Sequence, residues 1–302
     1  MLRAEVLREA REMMVFFAAL FVFIWSTGFI VGKAIVPYAD PTLFLFVRIC
    51  IAAVLFTGVA LYGRVTWPPW REVHKHMIAG VLLQGMYLSG IFWAIAGGVP
   101  PAIMALMGTL QPLLTAAIAI PLLKEVPTKR IWIGLTMGMV GVFFVIQPAL
   151  NNDGVNAFPL WAFLVGVAAI LAITFGTILQ KTSISQVDIR VALSLQNFGT
   201  LIFLGICVLV LGADRWVWSP ELWASLLWAA FVLTGIGTVL LIYIIRRGQA
   251  ATASSLMFLA PPLAAIEAYF MFGDTLGPIQ LLGFIVVLTG VIICNTRKGA
   301  KA

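Results

Sequence analysis

Very few side chains in this sequence can do chemistry, and their surroundings limit what that chemistry is. Glu267 is the only carboxylate that falls well inside an apolar run. Arg48 and Lys33 also lie within apolar runs, Arg48 about six residues in and Lys33 near an end. Charges in such surroundings are rare, and each is informative. An unpaired buried charge is strongly disfavoured, so Glu267 is expected to pair with Arg48 or with Lys33. Such a pair acts as a clamp, a gate or a proton site. Two uncharged amides, Gln84 and Gln111, stand mid-run, where an unpaired amide is costly. Pro112 and the Pro261-Pro262 pair stand halfway along two further runs. Proline removes one N–H and displaces the carbonyl four residues earlier. It therefore frees the carbonyls of Gly108 and Met257, which need protein, water or a bound molecule inside a bilayer. The result is either a polar notch or a plain kink.

Enzyme chemistry finds little support. His74 and His76 share one basic loop, and two ligands do not make a metal site. Cys50, Cys207 and Cys294 lie far apart in apolar runs, as small buried hydrophobes do. There is no HExxH, no P-loop and no nucleophile with a nearby His and acid. The expectation is a non-enzyme with no cofactor and no metal. An intramembrane enzyme or a non-transporting membrane subunit is the alternative from a different class.

The elements that must hold these residues follow from composition. Of the 302 residues 62% are hydrophobic and only 10% are charged, against about 25% charged in an ordinary soluble domain. The mean hydropathy is +1.06. Lipid is therefore the solvent for most of the chain. Apolar windows fall at about 14–35, 42–62, 77–97, 100–122, 131–148, 159–180, 190–212, 221–245, 250–271 and 277–295. Their lengths suit helices that cross a bilayer, which need roughly 17–25 residues. The net charge of +7 and pI near 9.6 do not point to nucleic acid here, because the basic residues alternate from loop to loop. With the N-terminus inside, 16 of the 19 Lys and Arg fall in inner segments, and only Arg215 falls in an outer loop. The positive-inside rule therefore favours ten spans with both termini cytoplasmic.

The expected organisation is all-α. Residues 1–13 form an amphipathic cytoplasmic segment, a short surface helix set before the first span. Residues 14–148 form a first five-helix repeat, 149–158 an outer linker, 159–295 a second repeat, and 296–302 a basic cytoplasmic tail. The repeat is visible in the residues. A shift of 149 brings Leu110, Pro112, Leu114, Ala116 and Ala119 onto Leu259, Pro261, Leu263, Ala265 and Ala268. Glu125 then meets Asp274, Gly134 meets Gly283, and Gly141-Val142 meets Gly290-Val291. Five helices is an odd number, so the second repeat must enter the membrane upside down. Gly28 with Gly32, and Gly134 with Gly138, are small pairs four apart that permit close helix packing.

The chain resembles the drug/metabolite transporter superfamily in its ten-helix EamA-type branch. The likeness rests on WSTGFIVGK at 25–33, Pro41 with Arg48, Leu110-x-Pro112 ahead of Glu125, and the glycines that follow. The second half repeats the last part, with Asp274 where relatives commonly carry Glu. The overall look is similar to YddG-like amino-acid exporters of bacterial inner (plasma) membranes. This resemblance implies a transporter that exports small metabolites, amino acids above all, including aromatic and hydrophobic ones. It implies alternating access through a central cavity between the repeats, with Pro112 and Pro261 as hinges. The partners would be a small-molecule substrate and the lipid bilayer, not nucleic acid, and the unit a monomer. A multidrug or other metabolite carrier of the same fold is the nearest alternative.

Cavity candidates combine that implication with helical spacing. Met104, Met107, Gly108 and Gln111 share one face, as do Gln84 and Tyr87. Trp25, Phe175, Tyr243 and Met257 complete the set. Gln84 and Gln111 are expected to orient the polar part of a substrate, while Met107, Tyr87 and Phe175 contact its side chain.

Overall fold

A computed structural model describes residues 2–111, 113–115, 118, 129–151, 158–183, 187–240, 244 and 257–295. Among these residues every regular element is a helix, and the sole extended pairing is an isolated bridge between Ala39 and Trp216. The helices are α1 (Leu2–Ala34), α2 (Pro41–Tyr62), α3 (Trp70–Ala96), α4 (Pro101–Gly108) and α5 (Lys129–Asn151). They continue as α6 (Leu160–Ser183), α7 (Ile189–Leu211), α8 (Pro220–Leu240), α9 (Ala260–Phe272) and α10 (Pro278–Asn295). Six described helices are long and apolar enough to cross a membrane: Phe16–Ala34 within α1, then α2, α3, Leu160–Gln180 within α6, α7 and α8. Shorter apolar helices cover Pro101–Thr115, Trp132–Gln147 and Pro278–Ile293.

Residues 2–34 form one unbroken helix, rather than a surface helix followed by a span. Residues 2–27 contain no Gly or Pro, and Leu, Ala, Glu, Arg and Met all propagate a helix well. At 1.5 Å per residue its 33 residues extend about 50 Å, more than the roughly 30 Å of a bilayer's hydrocarbon core.

Local chemistry sets the other ends. Asp188 caps α7 by accepting from the Arg190 N–H at 2.9 Å. Ser219 caps α8 by accepting from the Leu222 N–H at 3.1 Å, with Pro220 in the first turn. Gly212 and Gly273 end α7 and α9 at φ 62° and 70°, a left-handed conformation open to glycine.

The connections sort to two ends of the molecule. At one end Asp40 N–H donates to the Arg215 carbonyl at 3.0 Å, and Val217 N–H donates to that of Tyr38 at 2.7 Å. Lys33 pairs there with Asp274. Asp274 shares a surface hollow with Pro100, and a Cβ on Gly97 would come within 2.7 Å of that of Ala162. At the opposite end Gly63 backs onto Arg190, whose Nη1 would lie 2.3 Å from a Cβ.

Glycines set how closely the helices approach. In α3 and α7, a Cβ on Gly80 would meet the Gln196 carbonyl oxygen at 2.0 Å, and one on Gly199 would meet that of Met77 at 2.3 Å. In α5 and α10, a Cβ on Gly141 would meet the Gly283 oxygen at 2.7 Å, and one on Gly290 would meet the Gly134 oxygen at 3.1 Å. The 149-residue shift carries Gly134 onto Gly283 and Gly141 onto Gly290. It therefore turns one of these contacts into the other. Between membrane helices, such close backbone approach supplies the packing that the hydrophobic effect supplies in water. The exterior stays apolar, with Leu209, Val210, Phe270 and Met139 turned outward.

Candidate functional site

Two helices depart from α geometry, and both departures face the same place. α3 widens into a π segment at Val81–Met86, and α8 does so at Trp228–Ile236. In α8 the Thr234 hydroxyl donates to the Ala229 carbonyl at 2.9 Å, five residues back. The repeat shift carries 81–86 onto 230–235, inside the second π segment. The widening is thus repeated at the same place in both halves. Single π turns within α-helices frequently mark functional sites.

Between these segments lies a cavity of ≈ 210 Å³. α3 contributes Leu83, Gln84, Tyr87, Leu88, Ile91 and Phe92, and α8 contributes Leu233, Thr234 and Thr238. Trp25, Gly28 and Phe29 of α1, Arg48 and Phe56 of α2, Ile173 of α6, and Leu193 and Asn197 of α7 close it. A drug-sized pocket is roughly 300–1,000 Å³.

The polar groups in this wall are few. The Arg48 side chain is 8% exposed, and it donates from Nε and Nη2 to Thr234 Oγ1 at 3.4 and 3.2 Å. Asn197 donates from Nδ2 to the Leu193 carbonyl at 2.7 Å, while its buried Oδ1 has no partner among the described residues. Gln84, Tyr87 and Thr238 complete the polar residues of the lining. Gly108 stands just outside, where a Cβ would lie 3.9 Å from Phe29 and 4.0 Å from the Tyr87 hydroxyl.

The expected pairing of Glu267 with Arg48 or Lys33 does not occur. Lys33 pairs with Asp274 and lies 5.1 Å from the centre of the Phe272 ring. Glu267 accepts from the Ser26 hydroxyl at 2.6 Å, and Arg48 meets Thr234 instead. Ser26 and Lys33 are seven apart in α1, as are Glu267 and Asp274 at α9. The two contacts therefore set α1 and α9 parallel and in register. The same register carries Glu267 to Ser26 and away from the lysine.

Trp25, Gln84 and Tyr87 line the cavity, whereas other candidates stand elsewhere. Met104 and Met107 belong to the packed core, and Met104 Sδ fills the space beside Gly166 of α6. Gln111 donates to Thr177 Oγ1 at 3.1 Å, bridging to α6 rather than facing the cavity. Phe175 is 51% exposed, because α6 turns Ile170, Ile173 and Thr174 inward and leaves Phe175 outside. Met257 sits in a 3-10 turn before α9, against the core. Pro261 and Pro262 occupy the first turn of α9, where a missing N–H costs nothing. Pro112 and Tyr243 lie outside the described residues. Directly before Pro112, α4 tightens: Thr109 and Leu110 N–H donate three residues back, to Leu106 and Met107, both at 3.0 Å.

Asn197, Thr234 and Thr238 escaped the sequence reading. Asn197 carries the same signal as Gln111, an amide amid apolar residues. The threonines carry none, because a threonine hydroxyl commonly satisfies itself on its own helix.

Comparison with known proteins agrees with this architecture. The EamA-like transporter family matches the chain twice, over residues 12–147 and 160–296. The chain therefore belongs to the EamA-like transporter family of the drug/metabolite transporter superfamily, and it is an integral membrane transporter. It is 24% identical over 287 residues to the "Probable amino-acid metabolite efflux pump" of Salmonella typhimurium (92% of this chain, 93% of that protein). It is 23% identical over 295 residues to the inner membrane transporter YedA of Escherichia coli K12 (95% and 93%). A chloroplastic WAT1-related protein of Arabidopsis thaliana is 25% identical over 292 residues (92% and 68%). One solved crystal structure superposes with a TM-score of 0.63 at 16% identity, covering 93% of this chain and 96% of that one, a likeness of fold. The Salmonella and Escherichia coli relatives are named as an efflux pump and a transporter, not as enzymes.

Proposed function

We propose that the chain exports small metabolites, with amino acids as the favoured class, across a bacterial inner membrane. Ten crossings form two inverted five-helix repeats with both termini cytoplasmic. The observation that carries this reading is the ≈ 210 Å³ cavity, framed by π segments at equivalent places in the two halves. Its wall is mostly apolar and aromatic, with a few buried polar groups, which suits a small zwitterion bearing an apolar side chain. The name of the Salmonella relative favours the same class. The volume falls below the roughly 300 Å³ at which drug-sized pockets begin, which weighs against a multidrug carrier.

The mechanism is alternating access. The two repeats rock about the cavity, and α4, which tightens just before Pro112, and α9, which carries Pro261 and Pro262 in its first turn, open and close its two ends. The Lys33–Asp274 ion pair and the Ser26–Glu267 hydrogen bond tie α1 to α9 on the side of the 35–40 and 212–219 connections. Closure on that side requires both contacts to form, and opening requires both to part.

Counterflow in proteoliposomes tests this reading. Vesicles preloaded with unlabelled phenylalanine should accumulate labelled phenylalanine transiently, and cationic drugs should not compete. Accumulation of the drugs instead of any amino acid would favour the multidrug carrier. Conversion of the label into a new compound would favour an enzyme.

A further inference from the structure

We propose that Arg48 is the residue that binds a cargo carboxylate, and that Asn197 Oδ1 receives the ammonium group of the same molecule. This rests on the cavity being the transport site, and it adds the groups that read the two charges of the cargo.

Arg48 has no acidic partner among the described residues. A buried guanidinium normally has an anion beside it. Here the side chain is 8% exposed, and its only hydrogen-bond partner among the described residues is the neutral hydroxyl of Thr234. The acids of the α1–α9 contact have other partners: Glu267 accepts from Ser26, and Asp274 pairs with Lys33. Thr234 uses its own proton on the Ala229 carbonyl, so its oxygen is fixed as an acceptor that holds Nε and Nη2. Nη1 then remains without a partner among the described residues, on a side chain that lines the cavity. A guanidinium fork matches a carboxylate better than any other common group.

The second group is independent of the first. Asn197 is 1% exposed, lines the same cavity from α7, and anchors its Nδ2 to the Leu193 carbonyl. That anchor leaves Oδ1 as a buried acceptor with no donor among the described residues. A buried acceptor without a donor is rare in a folded protein and calls for an explanation. A cation beside a free guanidinium would be repelled, unless it arrives on a molecule that also brings an anion. An α-amino acid meets both demands. The aromatic wall of Trp25, Phe29 and Phe92 then receives its side chain.

The test separates this assignment from the transport reading. The full-length protein in detergent is melted with phenylalanine, phenylalaninamide, 3-phenylpropionate or phenethylamine, at equal ionic strength in chloride. Phenylalanine should raise the Tm most, 3-phenylpropionate less, and the two compounds lacking a carboxylate not at all. In Arg48→Gln the preference for phenylalanine over its amide should fall at least about tenfold, and Arg48→Lys should restore part of it. In Asn197→Leu phenylalanine should lose its advantage over 3-phenylpropionate. Equal stabilisation of the wild type by the acid and the amide would overturn the assignment without any variant. So would an unchanged acid-to-amide ratio in a well-folded Arg48→Gln protein, or an Arg48→Lys protein with no more preference for the acid than Arg48→Gln. Stabilisation by chloride alone would assign Arg48 to an inorganic anion and overturn it too. Counterflow on the same samples is read separately. Carboxylate-dependent binding without counterflow defeats the transport reading alone, and counterflow with no acid-over-amide preference defeats the assignment alone.

Discussion

At the scale of single residues, the cavity wall divides the polar side chains into two groups with different expected phenotypes. Gln84 lines the cavity, whereas Gln111 bridges α4 to α6 through Thr177. Gln84→Ala should therefore depress counterflow at unchanged Tm. Gln111→Ala should instead lower the Tm, by the order of one buried hydrogen bond, about 1 kcal/mol. Phenylalanine counterflow and melting of the two purified variants check this, and a matching pair of defects would mean that both face the cargo. Thr234 offers a second comparison. Thr234→Val removes the acceptor for Arg48 Nε and Nη2, while Thr234→Ser retains it. The valine variant should bind phenylalanine at least about tenfold more weakly, since a hydrogen bond to a charged group is worth roughly 1.5–3 kcal/mol. The serine variant should bind as the wild type does, by isothermal titration. Arg48 itself stood out in the sequence because a cation amid apolar residues is conspicuous. Its partner did not, because the reach from α2 to Thr234 depends on helix register and on the π turn that re-aims α8.

At the scale of elements, the two π segments and the α1–α9 contact carry the consequences. A π turn holds one residue more than the α turn it replaces. Deleting Leu82 should return α3 to α geometry with its flanking turns still in register, so that Gln84, inside the segment, is re-aimed while Tyr87, after it, is not. Gln84 and Tyr87 would then no longer face the cavity together. Counterflow should be lost, while the amount of protein in the membrane fraction is kept. Unchanged transport would mean that the widening does not shape the site. For α1 and α9, Lys33→Asp and Asp274→Lys should each slow counterflow, and the double exchange should recover a substantial part. Recovery reports a direct pair, whereas additive losses would assign the two residues separate roles. Apolar windows located the long helices well, from the second window at 42–62 against α2 to the seventh at 190–212 against α7. They did not reveal that α1 runs unbroken from residue 2, because charge in that segment reads as a change of solvent and helix propensity does not change there. Neither π segment has a residue signature, since the extra residue is recorded in hydrogen bonds and not in composition.

At the scale of the whole molecule, the repeat seen in the glycine spacing reappears as contact. Gly141 and Gly283 meet at the α5–α10 crossing, as do Gly134 and Gly290. A Cβ on Gly141 would lie 2.5 Å from Val287 Cγ2, and one on Gly283 would lie 2.9 Å from Phe144 Cβ. Gly141→Ala and Gly283→Ala should therefore each destabilise by about 1–3 kcal/mol, the usual cost of overpacking. Gly58→Ala, which meets nothing within 4 Å, should not. Melting of the three variants checks this, and similar losses for the first two would reflect their equivalent places. The motifs that carried the family resemblance were legible because they are local in sequence. The cavity was legible only in part, as Trp25, Gln84 and Tyr87, because its far wall comes from α7 and α8. None of the cavity candidates named from the sequence lies on α7, which supplies Asn197.

The crossed glycine contacts of α5 and α10 have the form of an isologous interface, in which patch a meets patch b and patch b meets patch a. Such interfaces ordinarily join two copies of one subunit. Here both copies are in a single chain, so the surface that one half offers to its partner is the surface it would offer to a duplicate of itself.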